Sequence, residues 1–336
     1  MKLLKRLIFP LLAISLSACP YVPDDYEFDY DTIVTDSPVN LKGINSKHDD
    51  YNSALPYPAG SYGLYFSSNR NSGGSDYDII HRDLFFSYHE KDDVLDVHYS
   101  NPGDYNIYDN TLFTLINSSA DQLGPHTFFG PKEFSYFFYA DNQGGDYDIR
   151  FAHHFKSDFG TYGATNVIHG PDTLKAINSE EDDLYPSIAE DQSSMFFCSN
   201  RDHEYFNIYS IPLPGADSLH DFFKADEVVE PDLNAILSSD YNDKCPYLFQ
   251  DIMVLTSDRE GGQGGFDLYY SLYENDAWTT PANFGPEINT EYDEYRPIIF
   301  SFFEFQYLII FSSDRPGGMG GFDLYMVKAD SYIARK

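Results

Sequence analysis

The chain has 336 residues, and 54 acidic side chains against 21 basic ones give it a formal charge of −33. So much negative charge repels phosphate backbones and anionic membrane faces, which excludes nucleic acid as a partner and leaves basic groups or Ca²⁺ as the ions its acidic loops attract. Aromatic residues make up 17% of the chain, a composition that suits pleated, half-buried surfaces and favours an all-β fold.

In chain order, the first element is a processing signal. Lys2, Lys5 and Arg6 precede the apolar stretch from Leu7 to Leu16, followed by Leu16-Ser17-Ala18-Cys19. That tetrapeptide resembles a bacterial lipobox, which implies cleavage before Cys19 and lipidation of its thiol and new amine; several buried acyl chains anchor stably where one does not. Residues 1–18 are then a lipoprotein signal peptide and 19–31 a lipidated acidic tether, with the membrane as a partner through the anchor. Position 20 is Pro, not the Asp of inner-membrane retention, so the expected location is the outer membrane. The acidic run Asp24, Asp25, Glu27, Asp29 and Asp31 resembles surface-export signals; cell-surface exposure and the periplasmic face both stay open.

From about residue 32 the chain repeats. Five related segments each break a β-like run with a small polar turn and resume at an aromatic, acidic and aliphatic cluster. They are FSSNRNSGGSDYDI from Phe66, FYADNQGGDYDI from Phe138, FCSNRDHEYFNIY from Phe197, LTSDREGGQGGFDLY from Leu255 and FSSDRPGGMGGFDLY from Phe311. The closing positions Asp78, Asp148, Asn207, Asp267 and Asp323 recur roughly every sixty residues, longer than the ~40–50 of common propeller blades. A second marker precedes each copy: Ile44-Asn45-Ser46, Ile116-Asn117-Ser118, Ile177-Asn178-Ser179, Leu233-Asn234-Ala235 and Ile288-Asn289-Thr290.

Repeat three divides into LYPSIAEDQ, SMFFCSNR, FNIYSIPLP and ADEVVEPDLNAI, four short strands of one blade. The predicted fold is a single five-bladed β-propeller over 32–336, with four-stranded blades at about 45–116, 117–177, 178–233, 234–288 and 289–336. Repeat five stops after its third strand, so the N-terminal run at 32–44 is predicted to complete it and close the ring, removing exposed sheet edges. The insert between His81 and Leu115 is too close to Asp78 to be another blade. Cys198 and Cys245 read as two buried free thiols, although a disulfide in an oxidising envelope fits their count equally.

The signature suggests ion pairs across its own loop: Arg70 with Asp78, Arg259 with Asp267 and Arg315 with Asp323. Repeat two carries Asn142 at the Arg position and repeat three Asn207 at the Asp position, so neither forms such a pair. Before each first strand stands an Asx residue: Asp49, Asp121, Asp182, Asn242 and Asp293. These form a candidate acidic rim that would bind a cation, an amine or a basic peptide; the alternative is that each caps a turn. The GGxGG loops fit a calcium roll poorly because the Asp is displaced and the period is wrong. A structural Ca²⁺ in an acidic loop stays open, and no other cofactor or metal site is expected.

The segment WTTPANFGPEINTEYDEYRPIIFSFFEFQYLIIFSSDRPGGMGGFDLY from Trp278 resembles the TolB-type, WD-repeat-like propeller repeats of Gram-negative envelope lipoproteins, some of them joined to OmpA-like domains. That resemblance implies a non-enzymatic interaction or scaffold module with an unidentified envelope protein as partner. The alternative is a lectin-like propeller with a glycan ligand. A glycoside hydrolase using carboxylates in the central funnel is the third reading. No GxSxG, HExxH or P-loop pattern is present, so no catalytic residue is assigned.

Overall fold

A computed structural model describes residues 30–56, 62–101, 107–155 and 167–333; Cys19 lies outside them. The chain from Asp31 onward folds as one compact unit. The first two strands are β1 (Thr32–Val34) and β2 (Val39–Asn40). Blade one follows with β3 (Asp50–Ala54), β4 (Tyr62–Ser68), β5 (Asp78–His89) and β6 (Val94–Tyr99), then helix α1 (Ile107–Ile116). Blade two is β7 (Gln122–Phe129), β8 (Phe134–Asp141), β9 (Asp148–Phe155) and β10 (His169–Thr173). Blade three is β11 (Asp183–Ile188), β12 (Ser194–Ser199), β13 (Asn207–Pro212), the short helix α2 (Leu219–Phe223) and β14 (Asp232–Leu233). Blade four is β15 (Asp243–Phe249), β16 (Ile252–Ser257), β17 (Asp267–Glu274), β18 (Ala277–Trp278) and β19 (Ala282–Asn283); blade five is β20 (Glu294–Phe302), β21 (Phe305–Ser313) and β22 (Asp323–Lys328).

Each blade is an antiparallel meander, and the five first strands β3, β7, β11, β15 and β20 contact one another around the ring. The all-β, five-bladed propeller expected from the repeats is the observed fold. β2 supplies the fourth strand of blade five, pairing Val39 with Met326 and Asn40 with Tyr325. The ring therefore closes where the sequence indicated, with one difference. The Thr32–Val34 part of that run does not join blade five; it pairs with β6 as a fifth strand of blade one, Ile33 opposite Asp96. The long repeat-one insert holds the rest of β5, β6 and then α1, which buries Leu112 and Ile116, a helix that the strand-like reading of the chain did not contain.

The inner strands share a device that shapes the funnel. Their third residues, Asn52, Gly124, Tyr185, Cys245 and Arg296, all adopt left-handed φ between 49° and 59°. At each, the pairing with the second strand slips by a residue. Pro125, Pro186, Pro246 and Pro297 follow in four of them, where a residue without an N–H suits a bulge. Tyr, Cys and Arg are unusual in this backbone region, and neighbours must hold them there.

The signature arginines do not pair as the sequence suggested. Each turns back to the carboxylate that begins the first strand of its own blade. Arg201 meets Asp183 at 2.6 Å and Arg315 meets Glu294 at 2.9 Å; Arg70 pairs with Asp50 and Arg259 with Asp243. The Arg70–Asp78, Arg259–Asp267 and Arg315–Asp323 pairs are therefore corrected. The hairpin register explains why: Asp50 lies opposite Ser68, two residues before Arg70. Each guanidinium also donates to a carbonyl upstream, as Arg201 does to Ile177 O at 2.6 Å.

Asp267 instead accepts Gly264 N–H at 3.3 Å and Asn283 Nδ2 at 2.9 Å, and Asp323 accepts Gly320 N–H at 3.1 Å and Asn40 Nδ2 at 2.9 Å. A Cβ on Gly264 or Gly320 would overlap carbonyls of the following blade, Tyr292 O and His48 O respectively. In blade two the residue at the Arg position is Gln143, not Asn142, because Asn142 accepts Asp121 N–H as Asn69 accepts Asp49 N–H. Gln122 replaces the carboxylate and donates to Ser118 Oγ at 2.9 Å. Blade two thus has amides at the two positions that carry the pair elsewhere, and pairs Arg150 with Asp141 at 3.0 Å instead.

The upstream marker is a side-chain splint. Asn45, Asn117, Asn178 and Asn289 each accept the N–H and donate to the C=O of one third-strand residue, Leu324, Ile79, Ile149 and Leu268. In the fourth copy the counterpart is Ser238, bonded to both groups of Ile208, so the marker there is Leu237-Ser238-Ser239 rather than Leu233-Asn234-Ala235. Aromatic and aliphatic side chains pack between blades, among them Phe66, Phe138, Phe197 and Phe311, each with no exposure. Cys198 and Cys245 are buried and unbonded.

Candidate functional site

The five Asx residues of the predicted rim do occupy equivalent positions, but their acceptors are used to latch blades together. Asp49 accepts Phe322 N–H at 3.1 Å, Asp121 accepts Tyr77 N–H at 3.0 Å, and Asp182 accepts Tyr147 N–H at 2.9 Å. Asn242 accepts Phe206 N–H at 3.2 Å and Asp293 accepts Phe266 N–H at 2.8 Å. In every case the donor belongs to the preceding blade, and the next residue's N–H bonds the same donor residue's carbonyl. Asp49 and Asp121 also accept the hydroxyls of Tyr77 and Tyr147. This ring of carboxylates is an assembly device, each member bonding across a blade boundary rather than within its own turn.

The first-strand carboxylates Asp50, Asp183, Asp243 and Glu294 are fully buried in their arginine pairs. None is free to reach a ligand in the funnel. In blade two, burial and then the Asp146 charge push Asp148 up to about 6, with Arg150 opposing them.

Other carboxylates gather at the opposite end of the inner strands, where hairpin turns of blades three and four border a groove of about 600 Å³. The β11–β12 turn brings Glu190 and Asp191, and the β15–β16 turn brings Gln250 and Asp251. Gln192 and Gln250 take left-handed φ of 63° and 55°, which folds both turns tightly against the groove. The outer wall is aromatic. Trp278, the one Trp of the chain, meets Tyr273 at 5.1 Å and Phe196 at 6.1 Å between ring centres. Tyr273 is 45% exposed, so its face is open to a ligand. Ser194, Ser210 and Asn234 complete the lining with hydroxyl and amide groups. A volume within the usual ~300–1,000 Å³, an apolar wall and a few converging polar groups describe a ligand site.

The two adjacent carboxyl groups are driven apart in ionisation. Partial burial pushes Glu190 above the usual carboxylate range, and the Asp191 charge adds to that, against a lowering hydrogen bond from Gln250 N–H. Hydrogen bonds from Ser193 hold Asp191 below its usual range, its N–H reaching Asp191 Oδ1 at 2.9 Å. Of the two, Glu190 holds a proton more tightly than usual and Asp191 less tightly, the order that acid–base chemistry uses. Glu190, Ala189 and Leu248 also line a second cavity of about 210 Å³ at the end of the axial channel, with His126, Tyr247 and Gln192. Glu190 therefore stands where groove and channel meet.

A third cavity, about 270 Å³, lies between blades one and two against Tyr65, Tyr108, Phe128 and Tyr136. Its neighbouring carboxylate Asp109 is occupied by Tyr65 Oη at 2.9 Å and His81 Nδ1 at 3.0 Å, which leaves it no free acid. The sequence reading passed over Glu190 and Asp191 because they fell in the polar turn of AEDQ. The available signal was the lone Trp278, whose place in the repeat holds no counterpart aromatic.

No family model matches the chain, and no curated protein matches its sequence. Solved structures do match. The catalytic domain of a GH62 α-L-arabinofuranosidase from Coprinopsis cinerea has a TM-score of 0.53 at 10% identity, covering 88% of this chain and 96% of that one. An endo-arabinase from Bacteroides thetaiotaomicron has a TM-score of 0.50 at 12% identity over 90% and 98%. An exo-β-1,3-galactanase from Clostridium thermocellum has 0.50 at 10% identity over 88% and 61%. Such identities establish a shared propeller fold. The non-enzymatic scaffold expected above is corrected to this extent: it borrowed its function from interaction propellers, whereas the three structures named here, alike in fold alone, are glycoside hydrolases.

Proposed function

We propose that this chain is a glycoside hydrolase whose substrate lies in the groove between blades three and four. The observation that carries the proposal is a groove in which Glu190 and Asp191 stand beside an exposed aromatic wall. In this reading the apolar face of a sugar ring stacks on Tyr273 and Trp278, and Asn234, Ser210 and Gln250 meet its hydroxyls. Glu190, whose hold on its proton is raised, donates it to the glycosidic oxygen as that bond breaks. Asp191, whose carboxyl is held below its usual range, takes a proton from the water that attacks the anomeric carbon. The propellers of similar shape act on arabinan, arabinofuranosides or galactan, so those polysaccharides are the first substrates to assay. The expected result is release of new reducing ends by the wild-type chain and its loss in Glu190→Gln; binding of a glycan with no release would refute hydrolysis.

The TolB-type lineage of the repeats and the lipid anchor at Cys19 belong to the same proposal. Anchored at the outer membrane, the enzyme would meet polysaccharide at the envelope, its acidity keeping it clear of anionic lipid faces.

A further inference from the structure

Arg296 is the largest fully buried side chain of the propeller and has no exposure. It leaves blade five at the left-handed bulge position, φ 49°, and crosses to the far side of the ring. Its Nη2 donates to Pro125 O of blade two at 3.2 Å, and its guanidinium carbon lies 5.2 Å from the Tyr185 ring centre in blade three. Nε and Nη1 make no hydrogen bond, and among the described residues no carboxylate pairs with it. Arg70, Arg150, Arg201, Arg259 and Arg315 each have a carboxylate partner, so Arg296 stands apart from them.

Its neighbours supply no negative charge. Burial pushes the Cys245 thiol up to about 12 and the Cys198 thiol higher still, and it raises the phenols of Tyr185 and Tyr295 far above their ordinary value. Burial and then the Arg296 charge lower His126 to about 3, so that ring is neutral too. It accepts Ile188 N–H on Nε2 at 3.2 Å. A guanidinium cannot shed its proton, and an isolated buried cation with two unused donors is among the most unfavourable arrangements a core contains. At the equivalent bulge position of the neighbouring blade, Asn52 is also fully buried with both Nδ2 and Oδ1 unpartnered. Two side chains at equivalent bulge positions of adjacent inner strands thus leave donors unused.

We infer that the centre of the ring holds a small monovalent anion, a halide or a formate-sized carboxylate, bound by Nη1 of Arg296 with Asn52 Nδ2 as a further donor. Charge-assisted hydrogen bonds from a guanidinium are suited to that role. A dianion would over-compensate one positive charge, and a site with no exposed atoms admits only a small one. The bound ion ties blade five to blades one, two and three, so it stabilises the closed ring. Neither Arg296 nor Asn52 lines the hydrolase groove, and the inference does not depend on that activity.

The test is thermal unfolding of the purified chain at constant ionic strength, with gluconate exchanged for chloride in one series and for formate in another, beside crystals soaked in bromide. Binding to the folded state alone raises the midpoint with ligand concentration. Between 1 and 300 mM the expected rise is roughly 4 °C for chloride, formate or both, and which of them acts identifies the occupant. Arg296→Met, apolar and of similar length, should lose the dependence. Should that variant not fold, Asn52→Ala serves, with the half-saturating concentration raised at least about threefold. An anomalous bromide peak within hydrogen-bond distance of Arg296 is the expected crystallographic result. No anion dependence in the wild type, an unchanged dependence in the variants, or no bromide at Arg296 would each overturn the inference.

Discussion

Asp183 is the sharpest place to test how the blades are held. Its carboxylate has no exposure and accepts from Arg201 Nη2 at 2.6 Å, Ser179 N at 2.6 Å and Ser179 Oγ at 2.9 Å. Asp183→Ala removes all three acceptor contacts and strands the Arg201 cation, of which only 9% of the side chain is exposed. Breaking one side of such a pair costs about 3–5 kcal/mol, which for a chain of this length lowers the unfolding midpoint by roughly 6–10 °C. Blade two supplies the control, since Gln122 and Gln143 fill the same two positions without charge. The double variant Asp183→Gln/Arg201→Gln should therefore recover most of the loss, to within about 2 kcal/mol of the wild type. Urea unfolding followed by Trp278 fluorescence and by circular dichroism measures all three variants. A loss under about 1 kcal/mol for Asp183→Ala, the size of an exposed pair, or a double variant worse than the single, would refute the reasoning.

Other outcomes follow from the groove and the anchor. The rate profile should be bell-shaped and acidic. Activity falls at high pH as Glu190 loses its proton at a raised pKa, and at low pH as the lowered Asp191 gains one; a profile rising steadily into the alkaline range would contradict that assignment. Trp278→Ala should raise KM by about 10–100-fold with a smaller change in kcat, the loss of one stacked aromatic surface of roughly 1.5–3 kcal/mol. An unchanged KM in initial-rate measurements would remove Trp278 from the site. Cys19→Ser should shift the protein from the membrane to the soluble fraction on cell fractionation, and retention in the membrane would refute lipidation.

How far the sequence carried these conclusions depends on the range of the interaction involved. The five closing positions from Asp78 to Asp323 and the splints Asn45, Asn117, Asn178 and Asn289 are local and periodic, so blade number and ring closure could be read from the chain. Partners chosen by strand register were not legible. Arg70 sits near Asp78 in sequence, yet the hairpin between β3 and β4 sets it beside Asp50. The same holds for the Asx ring: Asp121 meets Tyr77 of another blade, a contact no single repeat contains. Thr32–Val34 carried too little pattern to show that it would leave blade five for blade one. The groove was least visible, because Glu190 and Asp191 come from one repeat and Tyr273 and Trp278 from the next, joined only by packing of blades three and four. Arg296 looked like an ordinary residue before a proline, and only its φ of 49° and full burial mark it out.

The most direct measurement is release of reducing sugar from arabinan, arabinofuranosides and galactan by the wild-type chain and by Glu190→Gln at equal folded concentration. Turnover by the wild type that drops at least about 100-fold in the variant, with the unfolding midpoint unchanged, is the predicted result. Equal turnover by both proteins, or glycan bound by the wild type and never cleaved, would contradict it.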